Sequence, residues 1–412
     1  MERALHRNIT NIYLMSFFQN AMIITAIFVP LMQRHGLTMS EVLQTQALFA
    51  LVVAVCEVPS GYLADLWGRK NTIALGAGLC FLSFVHLVFA DSFTDFLIYE
   101  AIMGLGVSLN SGADLALLYD SQSYLNRDGK QKYKGDNSRH IARLVSIEGF
   151  AGGFAAVLAS LLSLWYLDWV LWAQAIISVL GLVFALLLVE APRQISTNSH
   201  KENWQQVCHN ITKDPLVLWT ALAIIVFSLA ALYTFWLYQK YWELQSIPVT
   251  WFGYIWACHC IIRGVTARYA TEIEALLGFR KVFILIALLP MIGFFGMGSF
   301  GGLLGLAMGL AFPVSRGLSL VVFYDALNKR VKANFRATIN SLVSLGVRGI
   351  FIVTGPILGY WVDAYGVQSS LLSLGMVFIP LFAVVLLPLL ANIKKSQRSA
   401  QNKDAIPVQA GT

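Results

Sequence analysis

PSGYLADLWGRK, residues 59–70, joins two apolar runs of the sequence, 41–63 and 71–90. Its glycines permit a tight turn, because glycine adopts backbone angles that other residues avoid. Asp65 can face the positive end of a neighbouring helix, and Arg69 can face a carboxylate. We therefore predict a charged turn between two membrane-spanning helices. Alternatively, Arg69 and Lys70 only fix the orientation of the chain in the membrane.

The composition is that of an integral membrane protein. The chain has 412 residues, of which 57% are hydrophobic and 12% charged, whereas soluble proteins have about 45–50% apolar and about 25% charged residues. One span takes about 20 apolar residues, so the chain has room for a dozen spans and for no large extramembrane domain. The five cysteines are scattered, which argues against a disulfide framework, and we expect no metal site and no cofactor.

The apolar runs predict an all-α membrane protein of twelve transmembrane helices, arranged as two pseudo-symmetric bundles of six. The predicted spans are 11–33, 41–63, 71–90, 95–120, 142–165, 168–190, 214–239, 249–270, 281–300, 302–325, 337–361 and 368–391. A polar central loop at 191–213 separates an N-terminal bundle (1–190) from a C-terminal bundle (214–391), and 392–412 forms a cytoplasmic tail.

Basic residues predict the orientation of the chain. Nearly all lysines and arginines fall in the segments on the side of the two termini, and the opposite loops hold only Arg34 and Lys240. By the positive-inside rule both termini are cytoplasmic. The same distribution explains the net charge of +7 without nucleic acid, since the basic residues form no compact face. Short outer loops suggest the inner membrane of a bacterium.

The two halves repeat each other at matching positions. Span four ends in Tyr119-Asp120 and span ten in Tyr324-Asp325, while the turn at Gly68-Arg69-Lys70 returns as Gly278-Phe279-Arg280-Lys281. These matches are offset by about 200 residues, close to half of the chain. Six plus six helices with a parallel repeat is a transporter architecture, in which substrate binds near the midplane between the halves.

The stretch at 59–70 resembles the signature loop of the major facilitator superfamily, Gly-x-Leu-x-Asp-x-x-Gly-Arg-Lys, and it lies where that family has it. The resemblance extends over the twelve spans, the central loop and the second copy of the turn. It implies a secondary active carrier that works by alternating access and is not an enzyme. One residue departs from the proton-coupled drug exporters of this family: Glu100 stands where they usually carry an arginine in span four.

Charged residues inside the spans are the functional candidates, because an ionisable group in a membrane is costly. Desolvation favours the protonated form of a carboxyl, so we predict that Asp114 and Glu148 carry protons. Ion pairs that gate the inner side, or that are merely structural, are predicted from the remaining charges: Glu57, Asp65, Arg69, Asp120 and Asp325. On span four, Glu100, Ser108, Ser111 and Asp114 share one helical stripe that could line a cavity.

A substrate site is predicted from a second stripe, on span eight. Phe252, Trp256, His259 and Arg263 follow each other at helical spacing and could hold an organic anion or an amphipathic solute by stacking and charge. Alternatively, its aromatic residues face lipid or core. The complete predicted substrate site is Asn20, Trp256, His259, Arg263, Arg316 and Arg348.

These observations predict secondary transport of a small organic, amphipathic solute by a monomer in the lipid bilayer, coupled to protons, with a weak preference for efflux. Uptake of an organic anion, bound by the second-half arginines, is the alternative. A membrane-embedded enzyme lacks a catalytic motif such as H-E-x-x-H, and a sensor lacks room for an output domain. No Walker lysine loop occurs, so the energy has to come from a gradient.

Overall fold

The structure is a computed structural model of the protein, and it describes residues 2–125, 137–192, 214–331 and 335–404. Every regular element in these ranges is helical, which confirms the predicted all-α fold. The first half contains α1 (Glu2–Asn20), α2 (Phe28–Arg34), α3 (Met39–Trp67), α4 (Arg69–Val88), α5 (Phe93–Asn110), α6 (Ala113–Leu125), α7 (Asn137–Ser163) and α8 (Asp168–Leu186). The second half contains α9 (Pro215–Leu244), α10 (Phe252–Arg268), α11 (Ala270–Leu277), α12 (Phe279–Ser299), α13 (Gly302–Gly309), α14 (Ala311–Arg330) and α15 (Arg336–Asp404).

Ten helical segments of the described ranges are long and apolar enough to cross a membrane. They correspond to the twelve predicted spans with two differences. The eighth predicted span, α10, is a helix of 17 residues. The last segment, Thr338–Ile393, holds both final spans. Gly366 separates them, since it interrupts α15 with a φ of 78° that favours glycine.

Two helices meet within residues 59–70 as predicted, but the break is at Gly68 alone, since α3 continues to Trp67 and α4 begins at Arg69. Gly68, with a φ of 102°, separates α3 from α4, and Gly278, with a φ of 78°, separates α11 from α12. Both conformations lie in the left-handed region that glycine adopts without strain. In both copies of the repeat, a glycine with a positive φ therefore separates two helices.

The first predicted span is interrupted by a 3-10 turn, Ile23–Ile27, between α1 and α2. Two glutamines from other helices hold this turn. The Oε1 of Gln174 accepts from the backbone N–H of Ile23 at 2.6 Å. Gln239 accepts from the N–H of Val29 at 2.9 Å and donates to the carbonyl of Thr25 at 2.8 Å. Irregular backbone at membrane depth needs such partners, since lipid offers none.

The fourth predicted span is also interrupted, where Ser111 and Gly112 separate α5 from α6. Gly112 has a φ of 80°, which explains why the helix ends there. Just before the break, α5 lies directly against α4: a Cβ on Gly106 would be 2.8 Å from the carbonyl oxygen of Gly76. Small residues permit this close approach between membrane helices, and it brings the end of α5 next to α4.

Contacts group the chain into two compact units. Unit 1 contains helices α1 to α8 together with Phe235–Ile261 and Arg348–Val367, and unit 2 contains the described parts of 197–234, 262–347 and 368–412. The core of unit 2 includes a stack of Phe227 on Phe382, with ring centroids 4.2 Å apart. The division into bundles at 1–190 and 214–391 stays a prediction, and most of the central loop predicted at 191–213, along with the end of the tail, lies outside the described residues.

Candidate functional site

Unit 1 contains a cavity of about 610 Å³, within the usual size range of small-molecule sites. It is bounded by both interrupted spans, by α3, α4 and α8, and by α9. Its described lining is Phe18, Gln19, Asn20, Met22, Ile24, Thr25, Phe28, Gln46, Phe49, Ala77, Cys80, Phe84, Tyr99, Glu100, Met103, Val107, Asn110, Ser111, Asp114, Ser178, Leu182, Phe235 and Trp236. The breaks in spans one and four thus both contribute residues to this cavity.

Glu100 is the most deeply buried acid of the cavity, with 3% of its surface exposed. Its carboxyl forms a short hydrogen bond with the side-chain amide of Gln46, which reaches it from α3. A carboxylate buried without a cation is unfavourable. Glu100 is therefore placed to bind a proton or a positively charged group.

Three polar side-chain atoms on the cavity lining are buried and have no hydrogen-bond partner in the described structure. They are the Nε2 of Gln19, the Nε1 of Trp236 and the Oδ1 of Asn110. Buried polar groups are nearly always hydrogen-bonded, so water or a bound solute has to complete them. Two of the three atoms are donors and one is an acceptor, so the solute they fit carries groups of both kinds.

The predicted stripe of span four mostly faces this cavity. Glu100, Ser111 and Asp114 line it, whereas Ser108 is buried and donates to the carbonyl of Leu105 at 2.8 Å. The half-buried Asp114 accepts a hydrogen bond from the N–H of Leu115 at 2.6 Å.

The second predicted proton carrier lies near the first. Glu148, on α7, has an exposed side chain, and Asp114 is close enough to repel it electrostatically. The structure therefore places the two predicted carboxyls within electrostatic range of each other. Asn20 lines the cavity as well, with its amide donating to the carbonyl of Ser16 at 2.9 Å.

The predicted stripe of span eight packs against α9 rather than lining the cavity. His259 is buried with its ring 4.5 Å from that of Tyr238, measured between centroids. Trp256 contacts Phe235 edge to face at 4.9 Å, and Phe252 contacts Trp242 at 5.1 Å. Trp256 therefore touches the cavity only through Phe235, which does line it.

The other predicted substrate residues fall into two separate places. In unit 2, Arg316 donates to the hydroxyl of Ser228 at 2.9 Å, and Arg263 is close enough to interact with it electrostatically. In unit 1, Arg348 forms an ion pair with Glu57 at 2.7 Å, with about a quarter of each side chain exposed. Arg348 thus already has a carboxylate partner within the protein.

Three of the five predicted gating residues, Asp65, Arg69 and Asp120, lie at or beside the signature turn. Arg69 forms a short ion pair with Asp120 and also donates to the carbonyl of Ala116 at 2.6 Å. Asp65 lies in the last turns of α3 with an exposed side chain. At the matching place in unit 2, Asp325 instead pairs with Lys329, one turn along α14, at 2.6 Å.

Sequence reasoning missed a carboxylate at this turn. The side chain of Glu190, just beyond α8, accepts from the backbone N–H groups of Arg69 and Lys70 at 3.1 and 2.8 Å. It thereby caps the positive end of α4, where the helix dipole favours an anion. Its position directly before Ala191-Pro192, at the end of an apolar run, was a signal that a cap could lie there.

A second missed group lies at the start of α3. The carboxylate of Asp363 accepts from the N–H groups of Met39 and Ser40 at 2.9 and 2.7 Å. Beside it, a Cβ on Gly359 would lie 2.5 Å from the Cα of Ser40. At a second place, a Cβ on Gly253 would lie 1.9 Å from the carbonyl oxygen of Ala156. We call the contacts of Gly359 and Gly253, together with the hydrogen bonds of Asp363, the glycine latch.

Three solved structures similar to this chain are structures of transporters. The nucleoside transporter NupG matches with a TM-score of 0.73 and 13% identity, covering 93% of this chain and 98% of its own. A D-xylose-proton symporter matches with 0.69 and 13% identity, covering 95% and 97%. A bacterial homolog of the human lysosomal transporter Spinster, in an inward-facing and unoccupied conformation, matches with 0.73 and 14% identity, covering 95% and 97%. At such low identity these neighbours show the fold alone.

No curated protein sequence matches this chain. The family model of the Major Facilitator Superfamily, by contrast, matches residues 9–356, which is most of the chain and includes the signature turn. Together with the all-helical fold this settles the resemblance noted in the sequence: the chain belongs to the Major Facilitator Superfamily and has the fold of a membrane transporter.

Proposed function

We propose that this protein is a proton-coupled secondary transporter for a small, amphipathic organic solute, with a weak preference for efflux. The observation that carries the proposal is the cavity in unit 1, where aromatic rings surround a buried carboxyl and three polar atoms without partners. A solute with an apolar body and a few polar groups fits this lining. We place the protein in a bacterial inner membrane as a monomer, with both termini cytoplasmic by the positive-inside rule.

Alternating access requires contacts that close one side of the membrane at a time. The glycine latch joins helices of the first and second halves within unit 1 beside the start of α3, and it is suited to hold that side closed. The Glu57–Arg348 and Arg69–Asp120 pairs and the Asp65 side chain belong to the cytoplasmic half in our topology. We assign them to the inner gate.

Coupling to protons rests on the carboxyls. Asp114 and Glu148 repel each other, so the loss of a proton by one is linked to the state of the other. Asp114 lies two residues after Gly112, at the break in span four. This arrangement supports an exchange of protons that depends on conformation.

Uptake of an organic anion is a second candidate, and one observation favours it. Arg263 and Arg316 lie near each other in unit 2, and neither has an acidic partner among the described ion pairs. A guanidinium keeps its charge at any physiological pH. An anionic solute could compensate this pair, although Arg348, which was predicted to join it, is occupied by Glu57.

The experiment is a screen followed by transport. Metabolites and drugs are tested for their effect on the melting temperature of the purified protein, and each ligand found is then assayed in proteoliposomes. We expect accumulation or extrusion that follows an imposed pH gradient and collapses when a proton ionophore is added. Transport whose rate does not change with the pH gradient would refute proton coupling. Ligands that bind without crossing the membrane would refute the transporter assignment.

A further inference from the structure

The cavity in unit 1 carries side-chain charge of one sign. Among its described lining residues Glu100 and Asp114 are acidic, and none is a lysine, arginine or histidine. Seven rings share the lining with them: Phe18, Phe28, Phe49, Phe84, Tyr99, Phe235 and Trp236. The faces of aromatic rings attract cations, most strongly at tryptophan. Both the charges and the rings of this cavity therefore favour a positively charged solute.

Among the described residues around Glu100, none carries a compensating charge. Gln46, which holds its carboxyl from α3, is neutral. The titratable groups near it are Tyr99 on its own helix and the Cys80 thiol from α4, and the other acid of the cavity lining is Asp114 on α6. Each of these is neutral or negative, so none can stabilise a carboxylate as a cation would. Glu100 is thus stable in two states, protonated or paired with a cation from outside the protein.

We propose that the solute of this cavity is an organic cation with an aromatic body, and that this cation and a proton compete for the Glu100 carboxyl. The inference rests on the transporter function proposed above and names its substrate class. When an ammonium group binds, the carboxyl releases one proton and keeps the negative charge that pairs with the ammonium. When the cation leaves, one proton returns, so charge in the cavity stays balanced.

The partnerless polar atoms add a further requirement. The N–H groups of Gln19 and Trp236 need acceptors, and the oxygen of Asn110 needs a donor. Asn110 lies ten residues along α5 from Glu100, about 15 Å along the helix axis, so a donor on the body of the solute, and not the ammonium group, has to meet it. Acceptors on the same body can meet the two N–H groups. A cation without hydrogen-bonding groups would leave these atoms unsatisfied and would bind less well.

Competition for one site fixes the direction of exchange. Because proton and cation cannot occupy Glu100 together, each turnover exchanges one for the other across the membrane. A proton gradient directed into the cell then drives the cation outward. This gives a physical reason for efflux that requires a carboxyl shared by the proton and the cation.

The test uses three indoles of similar shape that differ in charge: tryptamine, which is a cation, tryptophol, which is neutral, and indole-3-acetate, which is an anion. Binding to the full-length protein in nanodiscs is measured by calorimetry between pH 6 and pH 8. We expect tryptamine to bind at least about tenfold more tightly than the other two. Its affinity should rise with pH, as protons cease to compete, and the heat should report release of a proton into the buffer.

Variants test whether Glu100 is responsible. Glu100→Gln keeps the shape and the hydrogen bond but cannot ionise, so tryptamine should lose at least about tenfold in affinity and its pH dependence, while tryptophol should be unaffected. Asp91→Asn is the matched control, since Asp91 is an exposed acid outside the cavity, and it should bind like wild type. If Glu100→Gln does not fold, the pH dependence and proton release of the wild type decide alone.

Equal affinity for the three indoles, affinity for tryptamine that does not change with pH, or absence of tryptamine binding would each overturn the cation proposal. Failure of the transporter function has a different result, since then no ligand from the screen would cross the membrane. Gradient-driven transport of tryptophol or indole-3-acetate without a preference for tryptamine would leave a transporter standing and remove the cation.

Discussion

The cavity of unit 1 and the arginine pair of unit 2 contain charges of opposite sign, and only those of the cavity can be neutralised by a proton. In the cavity the charges are carboxyls, and a carboxyl becomes neutral by taking up a proton. Arg263 and Arg316 stay charged, because a guanidinium does not lose its proton in a protein. Arg316 donates to the hydroxyl of Ser228, a group that does not titrate.

The difference separates two roles. A buried acid can change its charge during a transport cycle and so can couple a solute to protons. A buried arginine keeps its charge and can only attract, orient or exclude. We therefore assign exchange of protons to the carboxyls of unit 1 and selection by fixed charge to the arginines of unit 2. The division can be tested first at the Arg69–Asp120 ion pair, which contains both a guanidinium and a carboxylate.

The largest effect is expected at the Arg69–Asp120 pair. Arg69→Ala leaves the half-buried Asp120 without its cation, and loss of one partner of a buried pair costs about 3–5 kcal/mol. We expect transport in proteoliposomes to fall below about a tenth of wild type, with membrane insertion nearly normal. Asp65→Asn should act in the same direction. Wild-type rates in both variants would remove these residues from the gate.

Coupling should respond next. Asp114→Asn and Glu148→Gln remove carboxyls that repel each other, so movement of protons should stop while binding of solute persists. We expect loss of gradient-driven transport together with retained exchange of labelled for unlabelled solute across the membrane. The measurement is counterflow beside transport under an imposed pH gradient. A normal response to the gradient in both variants would mean that protons reach the Glu100 carboxyl without Asp114 or Glu148.

The arginine pair makes a prediction of intermediate size. If an anion binds there, Arg263→Ala should weaken it by roughly ten- to a hundredfold, since charge-assisted hydrogen bonds contribute about 1.5–3 kcal/mol. Arg263→Lys should restore only part, because the planar fork is lost. Affinity for indole-3-acetate, or for any anion found in the screen, measures this. Unchanged binding in Arg263→Ala would exclude the anion reading.

Much of the fold follows from the sequence because its causes are local or repetitive. Apolar runs of about 20 residues decide spans, and the glycines at 68 and 278 decide turns, whatever surrounds them. The break at Gly112 could not be derived with the same certainty, since a lone glycine is common in membrane helices. The glutamines 174 and 239, which hold the broken first span, act over 150 residues or more of chain.

The site is less predictable than the fold because the direction of a side chain depends on packing. The stripe at Phe252, Trp256 and His259 has the spacing of a ligand face, and only the rings of α9 reveal that it is a packing face. Charge was the better guide: the carboxyls of span four, at positions 100 and 114, do line the cavity. Gln46 and Asn110 gave no signal, since amides occur throughout the spans.

The smallest effect is expected from Trp256, and it compares two tryptophans. Trp256 lies behind Phe235, whereas Trp236 lines the cavity with an indole N–H that has no partner among the described residues. Trp236→Phe keeps a ring and removes the N–H, so a solute that accepts its hydrogen bond should lose about two- to tenfold in affinity, as for a neutral hydrogen bond. Trp256→Phe makes the same chemical change outside the cavity and should alter affinity by less than about twofold. Both are measured by calorimetry with the best ligand from the screen, and a larger loss in Trp256→Phe than in Trp236→Phe would return the binding site to the stripe of α10.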